Sequence, residues 1–265
     1  MSKKALGILL VSIMHILPIN AQFTDTISAT GKTKAIFSHQ GNTVVHTGFP
    51  YKSFVVPALM IAYGFTTLSS DGLKDFNEKL KEEIWTEHPH KKIHIDNYLQ
   101  FAPAVAVYGL NMAGIKGKHN LKDRSIMYLM SNVFLNATVF SLKSITKQQR
   151  PDGSSKAFPS GHTAEAFASA EFLRQEYKEV SPWYGIAGYA TATATGLLRM
   201  YNNKHWLSDI VAGAGIGIAS TKLAYWLYPV IKRNFFKNKN MNAMLMPYYQ
   251  DKHGGVAMVY NFHAR

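Results

Sequence analysis

Five stretches without a charged residue, Ser53–Ser70, Asn97–Ile115, Ser125–Leu142, Ser181–Leu198 and Ile210–Thr221, divide this 265-residue chain and leave few folds open to it. Each approaches the ~20 residues that a helix needs to cross a hydrocarbon core. The last runs on past Lys222 through Tyr225, Trp226, Leu227 and Tyr228 to Pro229. A sixth helix is expected from His162, carrying Phe167, Ala168 and Phe172 together with Glu165, Glu171 and Arg174. The expectation is an all-α bundle of about six core helices within residues 53–240. Gly213, Gly215 and Gly217 form a small-residue ridge that lets another helix approach closely. Polar residues inside the stretches (Asn132, Asn136, Thr191, Thr193, Thr195) and a mean hydropathy of -0.09 also suit buried helices of a soluble bundle. A membrane-embedded bundle and an exported soluble one both remain open.

The ends read differently. Lys3 and Lys4 precede an apolar run from Ala5 to Leu17, and Ala21 closes a small-residue site, so residues 1–21 read as a secretory signal peptide. The alternative is an uncleaved anchor helix. Residues 22–52 read as a Thr/Ser/Gly-rich surface leader. The most charged segment, 71–96, reads as a solvated amphipathic helix or loop. Period-two alternation of Met244, Met246 and Tyr248, then Val256, Met258 and Tyr260, around Gly254–Gly255 predicts a β-hairpin tail over 241–265. Lys116, Lys118, Lys122 and Arg124, then Lys232, Arg233, Lys237 and Lys239, fall opposite the motif loops described next. If the bundle spans a membrane, that basic side faces the cytoplasm and the motif side faces out. A cleaved signal followed by three spans before Lys143 would reverse this sense. Either the start is retained or not every stretch spans.

With no cysteine, thiol nucleophiles, disulfides and cysteine–metal centres are excluded, and chemistry must come from His, Ser, Lys, Arg and carboxylates. A formal charge of +13 points to an anionic partner: nucleic acid, an anionic membrane surface or a phosphorylated substrate. Three segments select among these. Lys143 is followed at a distance by Arg150–Pro151, then comes Pro159–Ser160–Gly161–His162, and then Arg199, His205 and Asp209. All lie at helix boundaries. Asp209, one turn beyond His205, can accept from Nδ1–H, fix the tautomer and leave Nε2 as a nucleophile. Ser160 offers a hydroxyl, and the Gly161 N–H can meet an anion at a helix start. Lys143, Arg150 and Arg199 can surround a tetrahedral oxyanion, with His162 beside it. Phosphoryl transfer needs this set: a cradle, an in-line nucleophile and an acid on the leaving oxygen. No carboxylate cluster for magnesium or calcium stands in the sequence, so no metal or other cofactor is expected.

These segments resemble the signature of the type 2 phosphatidic acid phosphatase superfamily, which includes bacterial membrane lipid phosphatases, class A acid phosphatases and vanadium haloperoxidases. The resemblance covers about residues 97–230 and implies a helical bundle. It implies that His205 becomes a phosphohistidine, oriented by Asp209, and that His162 protonates the leaving alkoxide and then activates water. Lys143, Arg150, Ser160, Gly161 and Arg199 would bind the phosphoryl oxygens. Leu198 stands where the family usually has serine, which removes one hydrogen bond to the site. The short gap between Pro151 and Pro159 is closer to the membrane lipid phosphatases.

The expected activity is a metal-independent phosphatase of the bacterial envelope. Its substrates would be phosphate monoesters or diphosphates of lipids (phosphatidate-like, polyprenyl diphosphate or lipid A phosphate) rather than nucleic acid, with the site toward the periplasm. A soluble periplasmic acid phosphatase, a vanadium-dependent haloperoxidase and a binding module without turnover are the alternatives. Glu165, three residues after His162, is a candidate for holding it protonated. Tyr201 and Trp206 are candidates for packing on substrate, against the plainer reading of aromatic packing at a helix end.

Overall fold

A computed structural model describes residues 49–235, 243–250 and 253–260. The proposed signal peptide and nearly all of the proposed leader therefore lie outside the described residues. A short 3-10 turn, Tyr51–Phe54, leads into α1 (Val55–Ser69), and α2 (Asp71–Lys81) continues into a π-helical turn, Glu82–Thr86. There follow α3 (Asp96–Leu99), α4 (Ala102–Met112), α5 (Leu121–Thr146), α6 (Gly161–Tyr177), α7 (Pro182–Tyr201) and α8 (Leu207–Phe235). Strands β1 (Ala243–Gln250) and β2 (His253–Tyr260) pair antiparallel, from Ala243 with Tyr260 to Gln250 with His253. The expected helical bundle and terminal hairpin are both present.

Two expected elements differ in detail. The uncharged stretch from Asn97 to Ile115 is not one helix: it breaks between α3 and α4, where Pro103 suits only the first turn of a new helix. The charged segment 71–96 is the expected amphipathic helix followed by a loop, but it is not wholly solvated. Its Asn77 is buried and donates to Ser208 Oγ of α8 at 2.9 Å. Phe49, at the edge of the proposed leader, packs on Phe54 and edge-on to Trp226, so this residue joins the body.

Helix α6 is the centre. Ala164, Ala166, Ala168 and Ala170 are fully buried, and α1, α5 and α8 complete a core that includes Leu135, Val139 and Ile216. The small side chains let α8 come within backbone contact of α6. A Cβ on Gly213 would stand 2.5 Å from the Ser160 carbonyl, and one on Gly217 would stand 2.1 Å from that of Ala164. Two buried carboxylates of α6 are held by several donors each. Glu171 accepts from Arg174, Gln175 and Tyr189, and Glu176 accepts from His119 and Tyr225. Each carboxylate thereby fixes α6 against its neighbours, and its partners offset the cost of burial.

Among the described residues, two helices are long and apolar enough to cross a membrane: Leu121–Thr146 and the Leu207–Arg233 part of α8. The pair Tyr51–Ser69 and Asp71–Thr86, bent by 96°, would count as a third if taken as one broken span. The outward face of α5 carries exposed Leu129, Val133, Phe140 and Ile145, and α3–α4 expose Ile95, Tyr98, Phe101, Val105 and Met112. Leu129, Val133 and Phe140 share one side of α5 at helical spacing.

Candidate active site

The helix ends that carry the three motif segments meet at one end of the bundle. Lys143 lies in the last turn of α5, and its Nζ donates to the carbonyls of Lys156 at 2.7 Å and Ala157 at 3.2 Å. That fixes the ammonium under the loop containing Arg150. The loop closes on itself through Arg150 N–H to Ser154 O at 2.7 Å and Ala157 N–H to Gln148 O at 2.8 Å. It is braced from outside by the Lys204–Asp152 ion pair at 2.8 Å and by Trp206 Nε1–H donating to Gln149 O at 2.8 Å.

The loop ends in a cis Phe158–Pro159 bond, and Ser160 then caps α6. Ser160 is fully buried and its hydroxyl meets Thr163 Oγ1 at 2.8 Å, while its N–H donates to the Asp209 carbonyl at 3.0 Å. In this arrangement the Ser160 side chain caps the helix. The first-turn N–H groups of Gly161 and His162 are those a helix start leaves to an external acceptor. A Cβ on Gly161 would meet nothing nearer than Val139 Cγ1 at 3.7 Å. Its place is therefore not demanded by packing within the chain.

At the start of α8, Asp209 Oδ2 accepts from the Trp206 N–H at 3.0 Å, the reach-back half of a capping box. The same oxygen lies 3.2 Å from His205 Nδ1. One carboxylate thus sets both the helix start and the imidazole, leaving Nε2 with its lone pair. His205 is 3% exposed. Burial first, then the charges of Lys143, Arg199 and Arg150, hold its pKa well below the ordinary imidazole range. That shift favours the neutral ring, whose Nε2 lone pair could serve as a nucleophile. His162 is shifted the same way, to about 4, by burial and then by Arg199, with Arg150 and Lys143 adding and Asp96 opposing. The expected constellation is thus electrostatically one site. Arg150 Nε and Arg199 Nε are buried without a protein acceptor, as suits cations arranged for an external oxyanion. Among the described residues no group of three or more His, Asp or Glu gathers as a metal site.

Two residues of the site were not singled out from sequence. Asp96, fully buried in α3, accepts from Arg199 Nη1 at 2.5 Å, and its neighbour Asn97 places Oδ1 3.0 Å from His162 Nε2. Only their position at the start of an uncharged stretch hinted at them. Three lesser candidates resolve otherwise. Glu165 is not paired with His162: it is buried in the bundle, where it accepts from Tyr128 Oη of α5 at 2.6 Å. Trp206 is held by Gln149 and sits under Lys81 Nζ, and Tyr201 is stacked on His90 at 3.6 Å between ring centres. Both are packing residues of the loops that frame the site.

Residues 125–233 match the PAP2 superfamily. A curated relative, the lipid A 1-phosphatase of Porphyromonas gingivalis, is 40% identical over 147 residues, which cover 53% of this chain and 32% of the relative. The chain thus spans about a third of the length of that relative. Two solved structures are similar. One is LpxE of Aquifex aeolicus (TM-score 0.44, 21% identity, 57% of this chain and 94% of that one). The other is a transmembrane PAP2-type phosphatidylglycerolphosphate phosphatase of Bacillus subtilis (TM-score 0.46, 16% identity, 68% and 98%).

Proposed function

Since residues 125–233 of this chain match the PAP2 superfamily, we propose that it is a metal-independent lipid phosphatase of the bacterial envelope that works through a phosphohistidine. The observation that carries the reading is the buried His205–Asp209 pair lying in the combined field of Lys143, Arg150 and Arg199. A binding module needs the cations but not an oriented, neutral imidazole among them.

In the first half-reaction, His205 Nε2 attacks phosphorus and the bond to the leaving oxygen breaks, while His162 gives that oxygen its proton. In the second, water attacks phosphorus, the P–N bond breaks, His162 takes the proton from water and inorganic phosphate leaves. Lys143, Arg150, Arg199 and the first-turn N–H groups of α6 hold the equatorial oxygens through both steps, where charge on them is greatest.

The substrate class follows from the surroundings. Exposed apolar side chains on α3–α4 and α5 give a surface that water would disfavour and acyl chains would not. The two span-capable helices run between the site and a far side carrying Lys116, Lys118, Lys122, Lys232 and Arg233. That charge supports a reading in which the far side faces the cytoplasm and the site faces the periplasm. A membrane lipid with an exposed phosphate is the substrate this arrangement suits, and the 1-phosphate of a lipid A-type glycolipid is the first to try, given the relative's activity.

The experiment is a panel of lipid and soluble phosphates assayed with EDTA present, together with trapping of labelled enzyme. An alkali-stable, acid-labile phosphoenzyme that His205→Ala abolishes supports the mechanism. Activity lost to EDTA and restored by a divalent cation would count against it.

A further inference from the structure

Asp96 and Asn97 are consecutive residues of the short helix α3. They lie outside the segment that matches the superfamily and outside all three motif segments, yet each engages a functional side chain. Asp96 is fully buried and its ion pair to Arg199 fastens α3 against the end of α7. Fixed by that anchor, Asn97 turns Oδ1 toward the His162 ring, 3.0 Å from Nε2. An amide oxygen can only accept, so Nε2 carries the hydrogen of this contact and Nδ1 is the nitrogen left for the reacting oxygen.

We propose that Asn97 is the positioning residue of the acid–base histidine, holding the ring and tautomer of His162 as Asp209 holds those of His205. The proposal rests on the phosphatase reading for its catalytic meaning, though not for the contact itself. The chemistry accounts for an amide at one histidine and a carboxylate at the other. His205, once phosphorylated on Nε2 with Nδ1 still protonated, carries positive charge, and an adjacent carboxylate stabilises that state. His162 must instead surrender its proton to the leaving oxygen and recover one from water. A carboxylate beside it would hold the imidazolium and oppose the transfer, whereas an amide fixes direction without adding charge. The remaining charged and titratable groups acting on His162 are Arg199 of α7, Arg150 of the loop, Lys143 of α5, Asp96 of α3 and His205 before α8. The charge at position 97 is therefore set against a fixed background.

The test uses the full chain in detergent micelles, with the His162 ring followed by carbon-13 NMR (its signal assigned through its loss in His162→Gln) and with turnover of an aryl and an alkyl phosphate measured in parallel. Asn97→Asp is expected to move the His162 titration upward by about one to three pH units and to carry the alkaline limb of the rate profile with it. Asn97→Ala is expected to slow the alkyl phosphate, whose leaving group needs the proton, on the order of tenfold more than the aryl phosphate. A purely structural role would lower both substrates by the same factor, and that result overturns the proposal. So does an Asn97→Asp protein whose His162 titrates as in the wild type. If the wild type turns over no phosphate ester while the titration still moves, the contact stands and the phosphatase reading falls. The two failures are thus told apart.

Discussion

Gly217→Ala is the most direct test of how the bundle sets the site. The added carbon would stand 2.1 Å from the Ala164 carbonyl oxygen, 2.9 Å from the Ala168 nitrogen and 3.0 Å from the Ala164 carbonyl carbon. All three neighbours are backbone atoms of α6, so no side chain can rotate away. Ordinary contact begins near 3.4 Å, so α8 must withdraw from α6 by about 1 Å. Overpacking of this kind costs about 1–3 kcal/mol of stability. The larger consequence is geometric. The same helix pair carries, two turns toward its end, the Ser160 N–H to Asp209 O bond at 3.0 Å, which ties the start of α6 to the residue proposed to orient His205. A misplacement near 1 Å at reacting groups can lower a rate by about 10²-fold. The assay pairs thermal unfolding of the detergent-solubilised protein with kcat on an aryl phosphate. Gly109→Ala on α4 is the control, since a Cβ there meets nothing within 4 Å. It should be neutral or more stable by about 0.4–1 kcal/mol. A Gly217→Ala protein that melts and turns over like the wild type would refute the account of the α6–α8 contact.

Two further outcomes follow from the histidines. The His162 pKa, about 4 with the site unliganded, is depressed by burial and by cations that a bound tetrahedral anion neutralises, so binding should raise it. Vanadate or phosphate binding should then take up a proton at pH values between the two pKa values, and affinity should fall as pH rises through the bound-state value. Calorimetry in buffers of different ionisation heat measures this, and proton release on binding would contradict it. His162→Gln should lose about 10²–10⁴-fold on alkyl phosphates while sparing aryl phosphates that leave without help. An equal loss on both removes His162 from the acid role.

How far the sequence could be read depended on the range of the contacts. Lys143, Arg150, Ser160, His162, Arg199, His205 and Asp209 each follow or precede a helix end, and helix ends are legible from charge and turn residues. The four-residue interval from His205 to Asp209 is local, so its geometry could be anticipated and the structure has Nδ1 and Oδ2 at 3.2 Å. The contacts of Asp96 with Arg199 and Asn97 with His162 cross 103 and 65 residues. No periodicity reports such pairs, and the surrounding charge of 71–96 made the segment look solvated. Glu165 shows the converse error. The local spacing to His162 invited a pairing, but α6 is buried on nearly every side and Tyr128 of α5 supplies a closer partner. Pro103 marks the break between α3 and α4, which the lack of charge from Asn97 to Ile115 does not reveal.

Asp96 also bears on turnover through charge. A site built of Lys143, Arg150 and Arg199 alone would hold inorganic phosphate, the product of the proposed reaction, tightly. Asp96 offsets one of the three cations from behind, one guanidinium away from the anion. At an effective dielectric constant of about 20, a carboxylate roughly 7 Å from a unit negative charge opposes it by about 2 kcal/mol, and solvent and salt reduce that figure. Asp96→Asn keeps an acceptor for Arg199 Nη1 and removes the charge, so the guanidinium can stay in place while the repulsion is lost. Inorganic phosphate should then inhibit about tenfold more strongly, with a lower kcat because product leaves more slowly. Repulsion between Asp96 and a bound anion scales with the anion's charge, so the effect should be larger above the second pKa of phosphate than below it. Phosphate inhibition that is unchanged or weaker in Asp96→Asn would mean that the carboxylate serves only to hold Arg199 and α3 together.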